Sequence, residues 1–346
     1  MLRFSLCIAI GALILIATLI DVIWTTLGTH GGGPLSKHFT AGIFAFARAL
    51  NRRRPHHRLL SFAGTAILAA LVAFWIVLLW VGWTTFFSAK PNALVYAQSR
   101  ANTTIFDRLF FVAYTMTTMG NGDFQPNGPW WKIAASFTAF TGLAALSTAI
   151  TFLLSVLSAV VEKRALGAYV SDLGGDPYEI IRRSWTGTQF DSLNDHLVQL
   201  TTAVHIYTEQ HLAYPVLRYF HSEGERTAAT LRVPALYELL LILTGGVAPE
   251  KRLPPQVTNP LSWAISAYAE VMNKEIVIAA DHPPDAPNLA RVRAMGVPTV
   301  DDETFRRHVD EARDTRACLL GLVLKDGWQW EEAMGRSAVR AGSSAP

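Results

Sequence analysis

Cysteine is nearly absent from this chain: Cys7 and Cys318 are the only two in 346 residues. A disulfide-stapled secreted scaffold is therefore excluded, and neither cysteine has the neighbours of a metal motif. Charge is scarce as well, at 16% of residues, where soluble domains average about a quarter. With 51% hydrophobic residues and a net charge of +3, disorder and nucleic-acid binding are both unexpected. Acid is scarce in one half only. Residues 1–164 hold 13 Lys+Arg against 4 Asp+Glu, whereas residues 165–346 hold 17 against 23. The first half, at +9, reads as membrane, and the second, at −6, as a solvated domain.

Two uncharged runs decide the class. Residues 59–89 and 133–161 contain no Asp, Glu, Lys or Arg, and about 20 apolar residues suffice for a helix to cross a bilayer core. A third run, 4–20, continues past Asp21 into Val22-Ile23-Trp24 without a small-x-small cleavage pattern, so it reads as an uncleaved span rather than a signal peptide. Asp21 reads as a terminal charge reaching for water, with a paired intramembrane group as the alternative. Lys37, Arg48, Arg52, Arg53, Arg54 and Arg58 crowd the first connection, and Lys163 and Arg164 follow the third span. The positive-inside bias puts both places in the cytoplasm and the N-terminus outside. Residues 38–50 suit a short interfacial helix with Phe39, Ile43, Phe44, Phe46 and Leu50 on its apolar side. The basic cluster 52–58 fixes topology, with anionic lipid as a further ligand.

The loop between the second and third spans carries the chemistry. Thr104-x-x-Asp107 resembles a capping box, and the apolar stretch after it, to Thr117, is too short to span. A re-entrant helix of this kind points its partly negative end at the bilayer centre, where it favours a cation. Gly120 and Gly122 then alternate with Met119 and Asn121, and glycine supplies the positive φ that lines up successive carbonyls. Non-helical backbone at this depth survives only when buried in protein or lining water.

Thr118-Met119-Gly120-Asn121-Gly122-Asp123, with Pro126 behind it, resembles the T-V-G-Y-G-D signature of the potassium channel family. Gly142, twenty residues after Gly122, stands about where that family carries its hinge glycine. The resemblance covers residues 59–163: outer helix, pore helix, filter and inner helix. It implies a homotetramer around one pore, with ions held by filter residues Thr118, Met119, Gly120, Asn121 and Gly122. The Thr118 hydroxyl completes the innermost site, and Asp123 lies at the outer mouth. Met119 replaces the usual valine and Asn121 the usual aromatic residue. Potassium is the expected ion, and a weakly selective sodium/potassium pore is the alternative.

The third span independently suggests a hydrated path. Thr141, Ala144, Thr148, Thr151, Ser155 and Ser158 recur at alternating spacings of 3 and 4 and form one small, largely hydroxylated stripe. A tight helix–helix seam is the alternative. Residues 164–346 read as helical, with stretches at Asp191–His221 (broken at Pro215), Leu231–Leu243, Leu261–Ala280 and Glu303–Lys325, the last capped by Asp301 or Asp302. Ile276–Ala280 is a possible strand. No G-x-G-x-x-G turn is present. His205 and Glu209 share a helix face, but two ligands make no zinc site, so a membrane-anchored metal-binding enzyme or sensor is the weaker class.

The expectation is an all-α, multi-pass cell-membrane protein that is a channel and not an enzyme. Three transmembrane helices and a re-entrant pore helix precede a mainly helical cytoplasmic domain. The divisions are 1–58, 59–163 and 164–346. No cofactor is expected beyond the permeant ion, and the partners are other copies of the chain and membrane lipid.

Overall fold

The computed structural model describes residues 2–28, 32–51, 57–120, 122–275 and 279–335. Lipid forces a spanning segment to satisfy its own backbone, and the three apolar runs accordingly fold as helices: α1 (Leu2–Leu27), α3 (His57–Phe87) and α5 (Pro129–Leu173). Between α1 and α3 lies the amphipathic α2 (Pro34–Asn51). After α3 come strand β1 (Leu94–Tyr96), the short helix α4 (Ile105–Met116) and strand β2 (Phe124–Pro126), which pairs antiparallel with β1. The chain divides into two compact units, residues 1–158 with 213–220 and residues 159–212 with 221–346.

In the membrane unit α1 runs along α3 through a seam at Gly11 and Gly82. Asp21 corrects the expectation of a water-seeking terminal charge: it is fully buried. Its carboxylate accepts the amides of Leu35 (2.8 Å) and Ser36 (3.1 Å), the Ser36 hydroxyl, and the indole N–H of Trp75 on α3 (3.0 Å). An acid one helix away thus caps α2, using the orphan N–H groups that every helix start exposes. This cap explains why α2 begins at Pro34 rather than near residue 38. Phe39 of α2 stacks on Phe74 of α3 with ring centroids 4.1 Å apart. The side chains of Phe46 and Leu50, and residues 52–56 of the basic cluster, lie outside the described residues.

The second unit is helical: α6 (Pro177–Ser184), α7 (Asn194–Ala213), α8 (Ala229–Leu241), α9 (Pro255–Glu275), α10 (Leu289–Arg293), α11 (Asp302–Glu311), α12 (Arg313–Lys325) and α13 (Trp330–Ala333). All 13 residues of α8 are buried, with α6, α9, α12 and α13 packed around it. Together with the π-turn after it, α8 is long and apolar enough to cross a membrane. Its own unit encloses it, however, so it is the core helix of that unit. One ion pair sits inside this core. Arg316 grips Glu238 with two bonds of 2.7 and 3.1 Å and spends a third on the Asp285 carbonyl, 2.7 Å away.

The expected break at Pro215 is present, and two boundaries differ from the sequence reading. The Asp191–His221 stretch is α7 followed by a 3-10 turn, Pro215–Tyr219, because Pro215 lacks an N–H to continue the ladder. Glu303–Lys325 is two helices broken at Ala312, and Asp301 caps the first through the amides of Glu303 and Thr304. The third helix starts six residues early, at Pro255, a residue suited to a first turn. Residues 276–278 of the possible strand are outside the described residues.

Asp21→Ala strands buried donors on α2 and α3 and should cost about 1–3 kcal/mol. Asp21→Asn should recover part of this, both read as thermal unfolding in detergent. Arg316→Met leaves Glu238 buried and unpaired, at about 3–5 kcal/mol, and adding Glu238→Leu should restore most of the loss.

Candidate pore loop and inner helix

Helix α4 begins with the capping box that the sequence suggested. Thr104 Oγ1 accepts the Asp107 amide, and the Asp107 carboxylate accepts the Thr104 amide at 2.8 Å. Tyr96 on β1 donates its hydroxyl to the same carboxylate, at 2.8 Å. The Thr104 backbone bond holds the Asp107 carboxyl below its usual range, and the bond to Asp107 lifts the Tyr96 phenol above its own. Arg108, buried, reaches the Pro91 carbonyl (2.9 Å) and Thr103 Oγ1 (3.2 Å), tying the helix start to the loop behind α3.

The far end of α4 is closed by a Schellman motif. The Met119 amide donates to the Tyr114 carbonyl (3.0 Å) and the Thr118 amide to Thr115 (3.1 Å). This places Thr118 at φ +59, and Gly120 follows at φ +64. Left-handed backbone therefore recurs at alternate residues. Gly120 was expected there, but Gly122 is not left-handed. Thr118 is, at about 1–2 kcal/mol for a residue with a Cβ. No sequence signal marked that position, since β-branched residues avoid it. Thr118, Met119, Gly120, Gly122 and Asp123 are all exposed, and Asn121 lies outside the described residues. Among the described residues, the carbonyls of Thr118, Met119, Gly120 and Gly122 receive no hydrogen bond. The Asp123 carbonyl accepts the Ala97 amide at 2.9 Å, which returns the chain to the β1–β2 ladder.

The outer helix α3 and the inner helix α5 hold this loop from behind. Trp80 donates its indole N–H to the Leu109 carbonyl in the middle of α4 (2.8 Å), and Trp83 to the Thr141 hydroxyl on α5 (2.9 Å). Gly142 has a packing reason: a Cβ there would meet the Met116 carbonyl oxygen at 2.4 Å. The helix passes through Gly142 without interruption.

Along α5 each residue advances about 100°, and three faces separate. Thr138, Ala145, Ala149, Phe152 and Val156 are buried. Leu143, Ile150, Leu154 and Val161 are exposed on the opposite side. The small stripe lies roughly a quarter turn from the buried face. In it Thr151 and Ser158 are exposed, and Ala144, Thr148 and Ser155 half-buried. Thr141 departs from the cavity role expected of it, because its hydroxyl is buried and accepts Trp83. His205 and Glu209 are exposed on α7, and no group of three metal-ligating side chains occurs among the described residues.

A family described as "Ion channel" matches residues 64–159, from within α3 to the inner helix. "Uncharacterized membrane protein YdjJ" of Bacillus subtilis (strain 168) is 32% identical over 332 residues, covering 94% of this chain and 96% of its own. The chain belongs to this family of membrane proteins with a two-span ion-channel module. No solved structure matches it.

Gly142→Ala should push the end of α4 from α5 at about 1–3 kcal/mol. Hydrogen exchange should then rise at Thr117, Thr118 and Met119, whose amides cap that end.

Proposed function

We propose that four copies of the chain surround one pore in the cell membrane and conduct potassium passively, without catalysis. The filter is Thr118, Met119, Gly120, Asn121 and Gly122. The carbonyls of the first four replace the water of a dehydrated cation, and the Thr118 hydroxyl completes the innermost site. The observation that carries this reading is that, among the described residues, the carbonyls of Thr118, Met119, Gly120 and Gly122 accept no hydrogen bond, with left-handed backbone at Thr118 and Gly120. Four α4 helices ending near one axis favour a cation there, and a ring of Asp123 carboxylates concentrates cations at the mouth. Thr148, Thr151, Ser155 and Ser158 line the hydrated cavity below, and the inner helix around Gly142 gates it. The basic residues set the N-terminus outside and residues 164–346 in the cytoplasm, with lipid around the outer helices.

A weakly selective sodium/potassium pore is the second reading, favoured by Asn121 where the family carries an aromatic residue. In liposomes under opposed potassium and sodium gradients, the protein should conduct, and the reversal potential should sit near that of potassium. A value near zero selects the second reading. Gly120→Ala forces a Cβ onto φ +64 and should abolish flux. Silence from folded tetramers under every gradient would remove the channel reading.

A further inference from the structure

The chain passes between its two units three times, after Ser158, after Leu212 and after Phe220. The loan of residues 213–220 to the membrane unit is firmly seated there. The Phe220 ring lies against Gly64 of α3, Tyr219 stands 4.7 Å from Phe44 of α2, and Tyr214 stands 6.1 Å from Phe152 of α5.

Just beyond two of these crossings the helical unit closes a buried charge cluster. Lys163, 3% exposed, is the fifth residue after Ser158 on α5, and His221 is the first after Phe220. Both act on Asp326, at the C-cap of α12. His221 Nδ1 bonds one carboxylate oxygen, the Thr230 hydroxyl of α8 donates to the other, and the Lys163 charge acts from α5. The His221 and Asp326 side chains are only 13% and 10% exposed. Tyr207 of α7 and Tyr268 of α9, both buried, feel the Asp326 charge, and His211 of α7 packs against both rings. Burial pushes the Asp326 carboxyl up. The bond to His221, the Lys163 charge and the Thr230 hydroxyl outweigh it, so the carboxyl lies below its ordinary range and is ionised at neutral pH.

A single carboxylate therefore serves a lysine and an imidazole in a nearly dry site. A proton on His221 sets two cations in competition for Asp326, and like charges in such a place disfavour one another. Histidine is the side chain whose charge is suited to change within the range through which cells acidify. We propose that His221 is a proton sensor whose protonation weakens the hold of Asp326 on Lys163, loosens residues 159–173 of α5 within the helical unit and so changes conduction. The last step rests on the channel reading; the sensor does not.

The test is made on the full-length chain in liposomes, with the pH on the side of the helical unit stepped from 8 to 5.5. Amide exchange, corrected for its intrinsic pH dependence, should rise in residues 159–173 as pH falls. Flux should change about fivefold or more over the same interval. His221→Asn keeps a donor at the Nδ1 position but cannot titrate in this range, and both responses should be flat. Lys163→Met removes the competing cation and should also flatten the exchange response while His221 remains. A pH-dependent exchange profile unchanged in His221→Asn, or none in the wild type, overturns the sensor. Exchange that responds without flux at any pH leaves the sensor standing and counts against the channel reading.

Discussion

Three indole N–H groups on the outer helix organise the membrane unit. Helix α3 carries no charged residue from Leu59 to Phe87, and the single donor on each of its buried or half-buried tryptophans finds an acceptor within the protein. Trp75 finds Asp21 of the first span, Trp80 a carbonyl of the short α4, and Trp83 a hydroxyl of the inner helix. The three sit at different heights and address three different elements. Nonpolar packing supplies little orientation between helices in lipid, which is as apolar as the side chains themselves. Directional bonds from a single helix therefore set where the others stand, and the loop after α4 inherits its position from them.

That loop is held under tension at one residue. Thr118 adopts a conformation that its side chain resists, because the Schellman bonds at the end of α4 consume the amides of Thr118 and Met119. Among the described residues, the carbonyls of Thr118, Met119, Gly120 and Gly122 that follow accept no hydrogen bond. The Met116 backbone directly before them touches the inner helix where Gly142 has no side chain to prevent it. The end of α4, the turn and the inner helix thus form one packed contact, and movement of any of them is felt by the others.

Much of this was legible in the residue order. Charge-free runs marked α3 and the inner helix, Thr104 and Asp107 marked the start of α4, and the match to the ion channel family runs across all three. Asp21 was misread because its partners, Ser36 and Trp75, are 15 and 54 residues away. Thr141 was placed on a stripe by its spacing, and spacing cannot know that an indole faces it. The left-handed backbone of Thr118 was invisible for a different reason: it is set by the helix end before it, against the residue's own preference. The Lys163–His221–Asp326 cluster joins three distant stretches, and none of them carries a local pattern.

Helix α5 runs unbroken for 45 residues, close to 68 Å at about 1.5 Å per residue. The hydrocarbon core it crosses is about 30 Å thick, so more than half of its length lies outside that core. No loop or glycine–proline joint separates the part beside α4 from the part carrying Lys163. The backbone ladder that carries the span therefore continues past the apolar core without a break.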